Sequence, residues 1–231
     1  MMKKIKLFLL LAPLSLVFAG TLSAYPVNVG DTLNFSLGQG TSQWVSASNG
    51  STLYGWVGEL SVYPADSSDL LFSTFCLEMD ETLGTGLPFR VGSINDYASL
   101  GGANTNDNDP LSKATKWLYW NYVTGNLDDA VSGYSYGANS SANALQRAVW
   151  FLEEEITSVS GLAELLAKAA LDAELAQAYS GDVAVINLLF ADGSRAQDVL
   201  VASAPVPEPS TLLLLGAGMV GVALSRRRAR K

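Results

Sequence analysis

One cysteine, Cys76, and no histidine stand among the 231 residues. Those two facts constrain the fold more than any other feature. No internal disulfide can staple the chain, and no thiolate or histidine-ligated zinc site can be built, so no metal is expected. Stability has to come from apolar burial, which a hydrophobic content of 48% can supply. The missing imidazole also removes serine or cysteine catalysis of the kind that needs a histidine base. With no glycine-rich phosphate loop either, the chain reads as neither a cofactor protein nor a turnover enzyme.

Both ends differ from the middle. Residues 1–24 place Lys3, Lys4 and Lys6 ahead of an apolar run with small residues at Ala19 and Ala24. This is the pattern of a cleaved signal peptide. At the other end, Thr211 to Leu224 is an uncharged, mainly apolar run followed by Arg226, Arg227 and Arg228. Its 14 residues would span roughly 21 Å as a helix, short of the ~30 Å hydrocarbon core. The basic cluster is expected to stop transfer and hold that end in the cytoplasm, with the body across the membrane.

The order Pro207-Glu208-Pro209, apolar run, arginine cluster over residues 206–231 resembles a PEP-CTERM sorting signal. The resemblance implies export, an inner-membrane intermediate with transient insertion of helix 211–224, and processing by an exosortase-like enzyme. The destination it implies is the cell surface or extracellular matrix.

The body, 25–205, is strongly acidic. Three of the 14 basic residues lie in the signal and five in the tail, leaving six against 21 acidic ones, a balance of −15. Such a surface repels phosphate backbones, so no nucleic-acid partner is expected. Extracellular polysaccharide is compatible with it.

Within the body, residues 27–79 read as strands. Leu33, Phe35 and Leu37 alternate with polar neighbours, as do Leu60 and Val62, and 69–79 forms a third apolar strand. Residues 82–110 and 125–141 read as loop. Helices are expected from Ser112 to Val123, Ala142 to Thr157 and Leu162 to Tyr179. The stretches "DVAVINLLF" and "AQDVLVAS" return to strands over 183–202, with a turn at Ala191-Asp192-Gly193. The expected fold is mainly β with an α insertion (α+β): an antiparallel β-sandwich or barrel, with a helical subdomain at about 82–180 inserted between its strands.

Cys76 ends the third strand, and the second helix carries Leu145-Gln146-Arg147-Ala148-Val149-Trp150. This pairing over residues 70–155 resembles the Cys–Gln thioester domains of bacterial surface proteins, whose helix motif usually reads Thr-Gln-x-Ala-Ile-Trp. The resemblance implies that the Cys76 sulfur attacks the Gln146 carboxamide, ammonia leaves, and an amine- or hydroxyl-bearing target later displaces the sulfur. Trp150, Phe75 and Trp117 would shield the bond. Leu145 stands where the family carries threonine. Two other readings of Cys76 stand beside this one: a buried small hydrophobe and an intermolecular disulfide.

Three further features have a plainer reading and a sharper one. Asn104 to Pro110 alternates oxygen ligands suited to calcium but lacks the glycine and glutamate of an EF-hand loop. Glu153, Glu154 and Glu155 point in different directions on a helix, so they read as a solvated face, not a glycosidase pair. Trp44, Tyr54, Trp56 and Tyr63 could stack on sugars, or serve as cross-strand pairs.

Overall fold

Alternating apolar residues draw the first half of the body into a long hairpin. In the computed structural model, which describes residues 25–81, 83–99, 108–178 and 181–203, β1 (Thr32–Ser46) pairs antiparallel with β2 (Thr52–Pro64). The signal, the tail with Pro207, Glu208, Pro209 and Arg226 to Arg228, and residues 104–107 of the calcium candidate lie outside the described residues. β3 (Phe72–Thr74), β4 (Phe89–Asn95), β7 (Val183–Leu189) and β8 (Val199–Ala202) complete one six-stranded sheet of order β3-β2-β1-β4-β7-β8. All its pairings are antiparallel. A two-residue ribbon forms from β5 (Tyr97–Ala98) and β6 (Asp109–Pro110).

Of the two forms expected, sandwich or barrel, no sandwich is seen among the described residues: the sheet nearly closes on itself. Beyond β3 the chain runs against β8, where Leu77 N–H donates to Asp198 O at 3.1 Å and Leu200 N–H to Phe75 O at 3.3 Å. Thr74 Oγ1 adds a bond of 2.6 Å to Leu200 O. Closure hides the edges that an open sheet would expose. The interior holds Leu33, Phe35, Val62, Phe89, Ile186 and Val201, all buried. Phe35 and Phe89 meet edge to face there, centroids 5.7 Å apart.

Leu37, expected to face inward, is 48% exposed. The register shifts between Leu37 and Gly40, and a β-bulge turns the strand. Gly40 opposes Gly58 there, both at positive φ, and a Cβ on Gly58 would sit 2.3 Å from Gln39 O. Only glycines let the two backbones come so close.

The helices α1 (Lys113–Val123), α2 (Leu127–Ala130), α3 (Asn139–Leu152) and α4 (Leu162–Leu175) fall between β6 and β7 in chain order. They form a second core outside the sheet, where Leu118, Tyr119, Leu145, Val149 and Leu166 pack on Val183, Val185 and Leu200. This burial on both faces explains why β7 is apolar at every position but Asn187.

Ser112 starts α1 as expected: Thr115 N–H donates to its Oγ at 3.0 Å. Its hydroxyl in turn donates to Glu153 Oε1 at 2.7 Å. Ser112→Ala should therefore lower unfolding free energy by about 1 kcal/mol, read from urea unfolding.

The solvated-face reading of 153–155 holds for the exposed Glu154 and fails for its two neighbours. Glu153 is 8% exposed and Glu155 2%. The helix ends at Leu152, and Glu154 turns the chain at φ 60°. That turn sends Glu153 to the start of α1, and Glu155 to Met79 N–H, which donates to its Oε2 at 2.8 Å.

Candidate functional site

Cys76 lies opposite Val199 in a bridge whose hydrogen bonds are made by its neighbours Phe75 and Leu77. In an antiparallel pair such a residue turns its own N–H and C=O away from the partner strand. On that other side, pairing between β2 and β3 has already ended, with Leu60 opposite Thr74. Two half-buried backbone groups would be left without protein partners.

Gln146 fills the gap. Cys76 N–H donates to Gln146 Oε1 at 3.1 Å, and Gln146 Nε2 donates to Cys76 O at 2.8 Å, across 70 residues of sequence. The side-chain amide thus acts as a one-residue strand. Gln146 is 1% exposed, so it lies inside the fold.

Its helix is held in place from the same side. Asn139, Asn143 and Arg147 recur at i, i+4 along α3 and meet β1. Gly40 N–H donates to Asn139 Oδ1 at 3.0 Å and Thr41 N–H to Asn143 Oδ1 at 2.9 Å. Arg147 Nη2 donates to Gln43 Oε1 at 2.7 Å. These polar contacts fix the rotation of α3 and aim Gln146 at Cys76.

Beside the pair lies a cavity of about 260 Å³. Cys76, Glu78, Glu81 and Trp150 line it, with Trp56 and Gln197. Of the three shielding residues expected from sequence, only Trp150 is there. Phe75 faces the helical core instead, its ring 5.1 Å from that of Tyr122, and Trp117 packs against the same core. Strand alternation is the reason: residues 75 and 76 point to opposite faces.

The cavity gathers polar atoms without partners. Glu78 Oε1, Glu81 Oε2 and Trp150 Nε1 are buried and make no hydrogen bond. Glu78 Oε2 is occupied, accepting from Gln197 Nε2 at 3.0 Å and Asp198 N–H at 3.1 Å. A proton on Glu78 therefore belongs on Oε1. Burial, with the charges of Asp198 and Glu81, holds the Glu78 carboxyl well above the usual range. Burial and the neighbouring Asp198 push Glu81 up to about 8. The Cys76 thiol is pushed up as well, by burial first and then by Glu78. Asp198 is satisfied: Ser99 N–H at 2.6 Å, Asn187 Nδ2 at 2.7 Å and Leu188 N–H at 3.2 Å all donate to it.

Sequence reasoning missed Glu78 and Glu81, although both stand in the cysteine's own segment. Their spacing from Cys76 was visible; their burial was not. No group of three or more acidic or cysteine ligands suited to a metal occurs among the described residues.

Residues 205–228 match the PEP-CTERM protein-sorting motif. That tail indicates exosortase-dependent export to the cell surface, with an exosortase as processing partner. The match does not reach the body. No curated protein and no solved structure matches the chain, so the likeness of 70–155 to thioester domains gains no support from these comparisons. Among the described residues no helix is long and apolar enough to cross a membrane; residues 211–224 lie outside them.

Proposed function

We propose that this exported protein is a covalent adhesin whose Cys76 and Gln146 close into an internal thioester. One observation carries the reading: the Gln146 carboxamide is clamped on both sides of the Cys76 peptide, at 3.1 and 2.8 Å. That clamp holds the amide against the backbone of the cysteine whose sulfur would attack it, and such a reaction needs that kind of proximity. Cys76 N–H already points at Oε1, where negative charge develops when sulfur attacks. The family's threonine is replaced by Leu145, which is buried in the helical core and supplies no hydroxyl. Here the two backbone bonds orient the amide instead.

In closure, the C–S bond forms, the C–N bond breaks and ammonia leaves. An outside amine or hydroxyl later takes the acyl group, leaving the protein attached through Gln146 and the thiol free. The closed bond spans 70 residues and would add about 4 kcal/mol of loop-entropy stabilisation.

The intact mass of the purified protein tests this. It should fall below the sequence mass by one ammonia, and methylamine should add across the bond and expose a titratable thiol. Cys76→Ala should show no deficit. A wild-type mass equal to that of its sequence, with a free thiol, sinks the proposal.

A second reading rests on Trp44 and Tyr54, 68% and 60% exposed, with ring centroids 5.1 Å apart. Two adjacent rings open to solvent suit stacking on sugar faces in a non-covalent, polysaccharide-binding module. Retention on acidic polysaccharide that is lost in Trp44→Ala and kept in Cys76→Ala would favour it.

A further inference from the structure

We propose that Glu78 handles the proton during closure of the Cys76–Gln146 bond, taking it from the thiol and delivering it to the departing amide nitrogen. The inference rests on the thioester reading and adds to it the group that makes the reaction run without a histidine.

The geometry selects Glu78 from the acids nearby. It lies two residues beyond Cys76, and both line the same cavity. It is 3% exposed. Gln197 and Asp198 tie down one carboxyl oxygen, at 3.0 and 3.1 Å, and leave Oε1 without a partner. The other acids are committed elsewhere. Glu155 Oε2 accepts from Met79 N–H, Asp198 accepts three donors, and Glu153 accepts from Ser112. Glu81 also has an oxygen without a partner, but Arg195 and Asp80 flank it, and it lies further from Cys76 along the chain.

The step balances without an oxidant. The S–H bond breaks and its proton goes to the Glu78 carboxylate. Sulfur bonds to the Gln146 amide carbon, whose oxygen keeps the Cys76 N–H bond. Glu78 then returns the proton to nitrogen as the C–N bond breaks and ammonia departs. No net charge changes. Cys76 is only half-buried, but Glu78 lines the same cavity and leaves Oε1 open, which places a base beside the thiol, and the thiolate is the attacking form. The charged and titratable groups facing Glu78 are Cys76, Asp198 and Glu81; Glu81 in turn faces Asp80, Glu155 and Arg195. The surroundings are acidic, so Glu78 becomes a base only as pH rises.

The test follows the ammonia deficit by mass after refolding the full chain from denaturant, across roughly pH 5 to pH 9. In the wild type, closure should quicken with pH and level off once Glu78 is ionised. Glu78→Gln, which keeps the shape and the acceptor for Gln197, should close about 10²-fold slower or worse, while its circular dichroism stays native. Glu78→Asp should recover part of the rate and the pH dependence. If Glu78→Gln closes at the wild-type rate with the same profile, the role of Glu78 is overturned while the thioester stands. Should that variant fail to fold, the wild-type profile decides. A rate that keeps climbing in proportion to hydroxide, as free thiolate would give, overturns the role. A wild type that never loses ammonia overturns both ideas.

Discussion

In chains without the crosslink, Gln146→Ala should lower the unfolding free energy by about 2–5 kcal/mol. The substitution strips partners from two backbone groups at once, Cys76 N–H and Cys76 O. Each sits where no strand can replace the lost amide, because pairing with β2 ends at Thr74 and the backbone bonds on the β8 side go to residues 75 and 77. A buried backbone group left unpaired costs about 1–3 kcal/mol, and the removed side chain leaves a void between α3 and the sheet. Cys76→Ala is the informative comparison, since both backbone bonds survive it. In urea unfolding of chains without the crosslink, Gln146→Ala should lose far more than Cys76→Ala. Equal losses would mean that the amide bridge contributes little.

Raising the pH from roughly 5 to 8 should weaken the fold, the reverse of ordinary acid denaturation. Four buried or half-buried carboxyls, Glu78, Glu81, Glu153 and Asp198, titrate above their usual range, with desolvation the largest cause in each. The sign follows from linkage. A carboxyl whose folded pKa exceeds its unfolded value binds protons more tightly when folded. Its stabilisation is complete below the unfolded value of 4.5 and is lost as pH rises through the folded value, about 7 for Glu153 and about 8 for Glu81. For the deeply buried Glu153 the loss amounts to about 3 kcal/mol. Ionisation also brings the body to its full balance of −15. The denaturant midpoint should therefore fall between the two pH values, and Glu153→Gln should flatten that fall. A midpoint that rises with pH would contradict the burial of these acids.

Much of the scaffold was legible locally. Ser112 as a cap, the 145-148-149 stripe of α3, the doubly buried run of β7 and the turn at Asp192 all follow from short-range patterns. β4 was not. Phe89 and Val91 are fully buried, but they sit among glycine, serine and asparagine that read as loop, and their partner strand lies about ninety residues away, with Ser93 bonded to Asn187. α2, only four residues long, was equally hidden in 125–141. Leu37 was misplaced because a bulge breaks the two-residue period that sequence reading assumes.

The sorting tail needs no fold to be recognised, since the order of its parts along the chain is the signal. The same holds for the ban on disulfide staples, which composition alone imposes. Tertiary structure decided which polar groups are taken out of water: Gln146 against Cys76, Glu155 against Met79, Glu78 with one oxygen left open. The reason is physical. A helical or strand period is set by neighbours a few residues apart, whereas a buried amide or carboxyl is tolerated only where distant segments bring it a partner. That partner's position exists only once the sheet has nearly closed and α3 has docked along β1.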